Sequence, residues 1–252
     1  MTAFSSAARG LNRLLKNGPG RFARPFFHSR AVMVLAGVYH RRALPLLRKA
    51  LPLYGATVMV GLTYKCQCRC AHCGTAPYRL PERVELSAAE VLDLIKQAAG
   101  LGAGGLYLFG GEPMLSAGLE DFVREARALG LIVSLDTNGL LMDKAAARRL
   151  AAAGLERAGV SVDSADEAEH DSLRGTPGAF RAAVKAIEYC RDEGLDVVLS
   201  TYATRGSLRD GGLDRTIALA RSLGVRTRIL SPLRAGKWLE RADVPFRPEL
   251  IF

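Results

Sequence analysis

No aspartate or glutamate occurs in the first 81 residues, a stretch that carries thirteen lysines and arginines. The first acid is Glu82, and from there to Phe252 22 basic residues face 25 acidic ones. The net charge of +10 over 252 residues therefore describes neither part. It implies a basic arm on a nearly neutral globular body. Long apolar runs are lacking too. The longest uncharged one near the start, Ala31–Tyr39, has nine residues, whereas a membrane-spanning helix needs about 20. Arginines before it and His40, Arg41 and Arg42 after it argue against a cleavable signal peptide, although an arginine-rich, acid-free start also resembles an organellar transit peptide. No fixed-period repeat or low-complexity segment stands out. A hydrophobic fraction of 49% with 24% charged residues excludes wholesale disorder. Of five cysteines, four fall between residues 66 and 73. A disulfide framework would spread them along the chain, so metal or redox chemistry in a reducing compartment, the cytoplasm, is expected.

From residue 57 onward, strand-like and helix-like segments alternate. Strands are expected at Thr57–Thr63, Gly105–Phe109, Ile132–Asp136, Ala158–Val162, Val197–Tyr202 and Arg226–Leu230. Most are near-continuous apolar runs, the pattern of parallel strands buried on both faces. Helices are expected at Ala88–Ala99, Gly118–Leu129, Asp143–Ala153, Gly178–Glu193 and Leu213–Leu223, with Gly130, Gly154, Gly194 and Gly224 as stop signals. Ser87 and Glu90 have the spacing of a capping box. Six alternations imply right-handed βαβ units in one parallel sheet. They fall short of the eight of a complete (β/α)8 barrel, so an open or partial α/β barrel is expected.

The first expected strand runs into Lys65-Cys66-Gln67-Cys68-Arg69-Cys70-Ala71-His72-Cys73. Within it, Cys66, Cys70 and Cys73 have the spacing C-x3-C-x2-C. Three thiolates on one loop can hold three irons of a [4Fe–4S] cluster and leave the fourth open to a ligand. With Cys68 there are also four cysteines, enough for zinc, but zinc sites usually draw two pairs of ligands from separated knuckles. The second expected strand ends in Phe109-Gly110-Gly111-Glu112-Pro113. Two glycines there permit close backbone approach at the carboxyl end of a strand, where α/β proteins bind ligands.

These two motifs, in this order and in register with the strands, resemble the radical S-adenosylmethionine (SAM) superfamily over about residues 57–231. The resemblance implies a partial (β/α)6 barrel with a [4Fe–4S] cluster on Cys66, Cys70 and Cys73. It also implies SAM bound by its amino and carboxylate groups to the open iron. Gly110, Gly111, Glu112 and Pro113 match the family's GGEP motif, which holds the methionine amino group. The aromatic that the family places before its third cysteine is His72 here, a ring expected near the adenine. Cys68 is an additional thiol, expected to point away as a bystander.

Asn138, in Asp136-Thr137-Asn138-Gly139, resembles the family's TNG turn at the pocket, though a plain strand-to-helix turn would read the same. Ser161 and Asp163 alternate onto one face of the fourth strand, where they could meet the ribose and methionine ends of SAM. The run His170-Asp171-Ser172-Leu173-Arg174-Gly175 with Gly178-Ala179-Phe180 resembles the HDxxRG…GxF stretch of peptide- and cofactor-modifying members. There Arg174 could meet the SAM carboxylate through its guanidinium fork or make a surface ion pair with a nearby acid. Cys190, inside a helical pattern, reads as a buried apolar residue.

Many such members carry auxiliary clusters in a cysteine-rich SPASM or twitch extension, and no cysteine follows Cys190. The resulting organisation is a basic extension over 1–56, a barrel over 57–231 and a tail over 232–252. The resemblance implies an enzyme that cleaves SAM reductively and removes a hydrogen atom from a substrate. The expected substrate is a peptide or protein side chain. The alternatives are a lipid or cofactor precursor at a membrane surface, or a non-catalytic metal-binding adaptor. A flavodoxin- or ferredoxin-like electron donor is the expected partner. Lys65, Arg69 and Arg79 flank the cysteine loop, where positive charge can offset a thiolate-ligated cluster. The other ten basic residues precede the barrel, and His40–Tyr54 reads as an amphipathic, proline-broken helix. Such a piece could lie on anionic lipid, receive an acidic leader peptide or cap the barrel. It interleaves its charges with Leu, Val and Phe and shows no nucleic-acid reading motif, so nucleic acid is not expected.

Overall fold

The computed structural model describes residues 56–80 and 84–230. The helix expected over His40–Tyr54, the rest of the N-terminal extension before Ala56, and the tail from 231 lie outside these residues.

Six strands, β1 (Thr57–Gly61), β2 (Gly105–Phe109), β3 (Ile132–Thr137), β4 (Arg157–Ser161), β5 (Asp196–Tyr202) and β6 (Arg226–Leu230), form one sheet in sequential order. All five pairings are parallel. Helices α1 (Ala88–Gly100), α2 (Leu119–Ala128), α3 (Lys144–Ala153), α4 (Glu167–Arg174), α5 (Ala179–Asp192), α6 (Arg205–Arg209) and α7 (Gly212–Ser222) lie in the crossovers. A strand order that never reverses carries every same-handed crossover past one face of the sheet. Successive helices accordingly pack on one another, α1 on α2, α2 on α3 and α3 on α5. The sheet curls away from them into a partial barrel, and β1 and β6 are not paired with each other.

Local sequence explains these elements. Ser87 Oγ accepts from the Glu90 amide while Glu90 Oε2 accepts from the Ser87 amide at 2.8 Å, so the capping box starts α1. In α2, Leu119, Phe122, Val123 and Ala126 make one buried stripe at i, i+3, i+4 and i+7. Each of the four expected stop glycines has a positive φ.

The strands differ from the expectation of burial on both faces. Burial alternates along β3, with Val133, Leu135 and Thr137 buried and Ile132, Ser134 and Asp136 half-buried. Leu106, Leu108, Val133, Leu135, Val160 and Leu199 join Ile95, Phe122, Leu150 and Ile187 in the core beneath the helices. The other face lines the barrel lumen and carries Tyr107, Asp136, Ser161, Ser200 and Arg228. Helices cover only one side of a singly wound sheet, so only that side is uniformly apolar. Cys190 is fully buried in the core, as its helical position implied.

Candidate functional site

A cavity opens at the carboxyl ends of the strands, where the strand-to-helix loops converge. Cys66, Cys68, Cys70 and Cys73 line it with His72, Arg79, Gly110, Gly111, Asn138, Ser161, Arg174 and Tyr202. The cysteine loop is fixed from two sides by main-chain bonds. On one side the Gly111 amide donates to the Thr63 carbonyl at 2.7 Å and the Glu112 amide to the Lys65 carbonyl at 2.8 Å. A Cβ on Gly111 would collide with the Lys65 carbonyl, and one on Gly110, whose φ is +136°, would lie 2.6 Å from the Thr63 carbonyl. These glycines therefore let one loop nest against the other, a use of close approach different from direct ligand contact. On the other side the Arg69 amide donates to the Arg174 carbonyl at 2.9 Å and the Ala71 amide to the Leu173 carbonyl at 2.8 Å.

All four loop cysteines are free thiols. Each of the three in C-x3-C-x2-C spacing meets its own side-chain donor. Asn138 Nδ2 lies 3.6 Å from Cys66 Sγ, Arg174 Nη1 3.9 Å from Cys70 Sγ and Arg79 Nη2 3.1 Å from Cys73 Sγ. Cys68, expected to point away, instead turns in among the other sulfurs: it lines the cavity, is fully buried, and keeps its proton in hydrogen bonds with Cys66 and Cys70. Hydrogen bonding from Cys68 lowers both Cys66 and Cys70 to about 6, against the opposing effect of burial. Two thiols poised to ionise, with donors aimed at three sulfurs around one cavity, suit thiolate ligation of an iron–sulfur cluster. Among the described residues no three His, Cys, Asp or Glu side chains are disposed to hold a single ion.

The other expected site residues divide. Gly110, Gly111, His72, Asn138, Ser161 and Arg174 face the cavity, while Glu112, Pro113 and Asp163 are not among its lining residues. Glu112 is fully buried behind the wall. Its Oε1 accepts from the Thr137 hydroxyl at 2.8 Å and the Met114 amide at 3.2 Å, and its Oε2 from the Asn138 amide at 2.8 Å. Burial nevertheless pushes this carboxyl up to about 7. Asp163 lies past the end of β4 and is held by Arg174, Nε to Oδ2 2.9 Å, and by His72, Nε2 to Oδ2 3.5 Å. Arg174 thus makes an ion pair, but a buried one and not the surface pair expected. His72 packs its ring 4.8 Å from that of Tyr202, and burial lowers its pKa, which favours the neutral imidazole.

Residues that the motifs did not single out also reach this region. Asp136, Ser200, Tyr202 and Leu230 line the cavity from β3, β5 and the end of β6. Alternation along those strands was the available signal, but their apolar members masked it. Among the described residues no helix is long and apolar enough to cross a membrane.

Comparison with known proteins bears on this arrangement. A family model described as the radical SAM superfamily matches residues 60–210. An AdoMet-dependent heme synthase of Nitratidesulfovibrio vulgaris is 33% identical over 147 residues, which cover 58% of this chain and 40% of that protein. A PqqA peptide cyclase of Rhizobium meliloti is 28% identical over 184 residues, covering 73% of this chain and 48% of the relative. The chain thus spans less than half the length of these curated relatives. In fold it resembles Streptococcus suis SuiB bound to S-adenosylmethionine, with a TM-score of 0.65 at 15% identity over 82% of this chain and 47% of that one.

Proposed function

Because the chain belongs to the radical SAM superfamily, we propose that Cys66, Cys70 and Cys73 hold its [4Fe–4S] cluster and that the adjoining cavity binds SAM. The superfamily's enzymes use both cofactors and draw on an electron donor. When bound, the reduced cluster supplies the electron that cleaves SAM to methionine and a 5′-deoxyadenosyl radical, which takes a hydrogen atom from substrate. The observation that carries the residue assignment is the backbone stitching of Gly111 and Glu112 to Thr63 and Lys65. It brings the two motif loops to one cavity rimmed by four free thiols, three of them in the C-x3-C-x2-C spacing.

Within that cavity the chain's own groups divide the work. Gly110, Gly111 and Asn138 present the wall to the methionine end of SAM, with Glu112 behind them as the carboxylate that answers an ammonium group. Ser161 offers a hydroxyl to the ribose. His72, whose pKa burial lowers, packs its ring at a tilt against Tyr202 at the cavity wall. Arg174 holds Asp163 and anchors the cysteine loop through its carbonyl.

The substrate is a peptide side chain. Similarity to the PqqA peptide cyclase over 73% of this chain supports that reading. The basic, acid-free residues 1–56 agree with it where they serve to receive an acidic leader peptide, rather than to lie on lipid or cap the barrel. A second reading, modification of a cofactor precursor, is favoured by the 33% identity to the heme synthase.

Anaerobic reconstitution tests the common core. It should give about four irons and four sulfides per chain and dithionite-dependent release of 5′-deoxyadenosine. A fully loaded, SAM-bound sample that releases none defeats the enzymatic assignment of this site. Stimulation of that release by leader-bearing peptides, against stimulation by iron porphyrins, separates the two substrate classes.

A further inference from the structure

Three basic residues flank the cysteine loop, but only one touches a sulfur. Lys65 and Arg69 are exposed. Arg79, which follows the short 3-10 turn Ala76–Tyr78, folds back over the loop. Its Nη2 lies 3.1 Å from Cys73 Sγ and its Nη1 donates to the Cys68 carbonyl at 2.8 Å. One planar guanidinium thus bridges a thiol and the loop's main chain, a two-point grip that an ammonium group cannot reproduce. Its Nε is buried without a hydrogen-bond partner. The group is held in place by the loop and has no carboxylate partner to neutralise it among the described residues. Thr75 Oγ1, 3.2 Å from the same sulfur, completes the surroundings of Cys73.

The other two sulfurs are served differently. Cys66 meets the uncharged Asn138 at 3.6 Å, and the guanidinium near Cys70 is 3.9 Å away and already paired with Asp163. Arg79 is therefore the shortest and least compensated cationic contact to any of the three.

We propose that Arg79 is a positioning residue that sets the reduction potential of the cluster through Cys73. Reduction adds one negative charge to a thiolate-ligated cluster. A cation and a hydrogen bond at a ligand sulfur stabilise the reduced form more than the oxidised one, and so raise the potential. In a partly buried loop this charge is screened less than it would be in water. Arg79 makes the cluster easier to reduce by a physiological donor. The inference rests on Cys73 being a cluster ligand, as proposed above.

The test is an anaerobic redox titration of the reconstituted full chain, followed by EPR of the reduced cluster and carried out without SAM. Wild type, Arg79→Gln and Arg79→Lys are compared at matched iron and sulfide content. Arg79→Gln should lower the reduction equilibrium at least tenfold, a fall of about 59 mV for one electron. Arg79→Lys, which keeps the charge and loses the fork, should fall between. Equal potentials in all three overturn the proposal, as does a variant that changes SAM affinity and leaves the potential in place. If Arg79→Gln assembles no cluster, Arg79→Lys decides: a lowered potential supports the proposal and an unchanged one defeats it. Failure of both variants to load assigns Arg79 to assembly and overturns the role in potential. Cys73→Ala separates this inference from its premise. A full cluster in that variant defeats the ligand assignment. Loss of the cluster, with unshifted Arg79 variants, defeats only the inference drawn here.

Discussion

Arg228 on β6 reaches across the barrel lumen to Asp136 on β3, with Nη2 2.5 Å from Oδ2. Its Nη1 donates to the Tyr107 hydroxyl on β2 at 2.7 Å, and that hydroxyl donates to the same carboxylate. The edge strand of an unclosed sheet is thereby tied to two strands near the opposite edge. Gly159 on β4 makes the room, because a Cβ there would collide with Asp136 Oδ1.

Arg228→Leu leaves the Asp136 carboxylate with only the Tyr107 hydroxyl, and should cost about 1–3 kcal/mol of stability. Gly159→Ala forces the carboxylate off the strand and should cost a similar amount through overpacking, about 1–3 kcal/mol. Both act on Asp136, so the double variant should lose less than the two losses added together. Urea denaturation with an unchanged m-value checks this. Strict additivity would show that Arg228 and Gly159 act independently.

Glu112 should make stability depend on pH. Its folded pKa of about 7 lies above its ordinary value of 4.5 because burial penalises the charged form. Between those values the native state holds a proton that the unfolded chain has released, so stability falls as pH rises. The contribution is present in full below 4.5 and lost once pH passes about 7. Glu112→Gln removes the titration. The stability difference between wild type and this variant should therefore shift against wild type between pH 5 and 8, read as denaturation midpoints. A constant difference would mean that Glu112 titrates as an ordinary carboxyl. Binding of the SAM ammonium near Glu112 should release a proton at neutral pH, visible as a dependence of the calorimetric heat on buffer ionisation enthalpy.

Cys68 and Cys70 should respond oppositely to replacement. Cys70→Ala removes a proposed ligand and should abolish cluster loading, whereas Cys68→Ala should retain about four irons. The Cys68 thiol also lowers its two neighbours to about 6. In the cluster-free protein at pH 7, Cys68→Ala should therefore slow alkylation of Cys66 and Cys70 several-fold, since the thiolate is the reactive form. Loss of the cluster from Cys68→Ala would make Cys68 a required member of the site.

Much of this arrangement was legible in the chain because it is carried by local pattern. The strand Gly105–Phe109 falls where its apolar run placed it, Arg226–Leu230 has the bounds expected for it, and the capping box at Ser87 starts its helix as read. Helix α4 was missed because Glu167–Arg174 has almost no apolar residues. Its signal was a cap: Asp166 accepts from the Glu169 amide. The HDxxRG stretch could be recognised by resemblance, but its local physics was hidden. The His170 ring accepts from the Asp163 amide, and Asp171 accepts from the Gly178 and Phe180 amides at the start of α5. The links among Tyr107, Asp136, Gly159 and Arg228 join four strands, and no spacing within one segment announces such a set.

The buried pair Arg174 and Asp163 separates a structural duty from a ligand-binding one. Their side chains are 9% and 5% exposed and approach to 2.9 Å. Removing one member of such a pair strands a desolvated charge, at roughly 3–5 kcal/mol. Arg174→Met should therefore destabilise the fold strongly, and the removal of both charges in Arg174→Met with Asp163→Leu should recover most of that loss. The Arg174 carbonyl and Leu173 carbonyl that hold the cysteine loop are main-chain groups, so a stable double variant should still load a cluster. Its SAM affinity, measured by calorimetry, should stay within a few-fold of wild type. A double variant that is stable and fully loaded but has lost SAM binding by a hundredfold would return Arg174 to the SAM carboxylate. The ion pair would then be only the resting arrangement of a ligand-binding arginine.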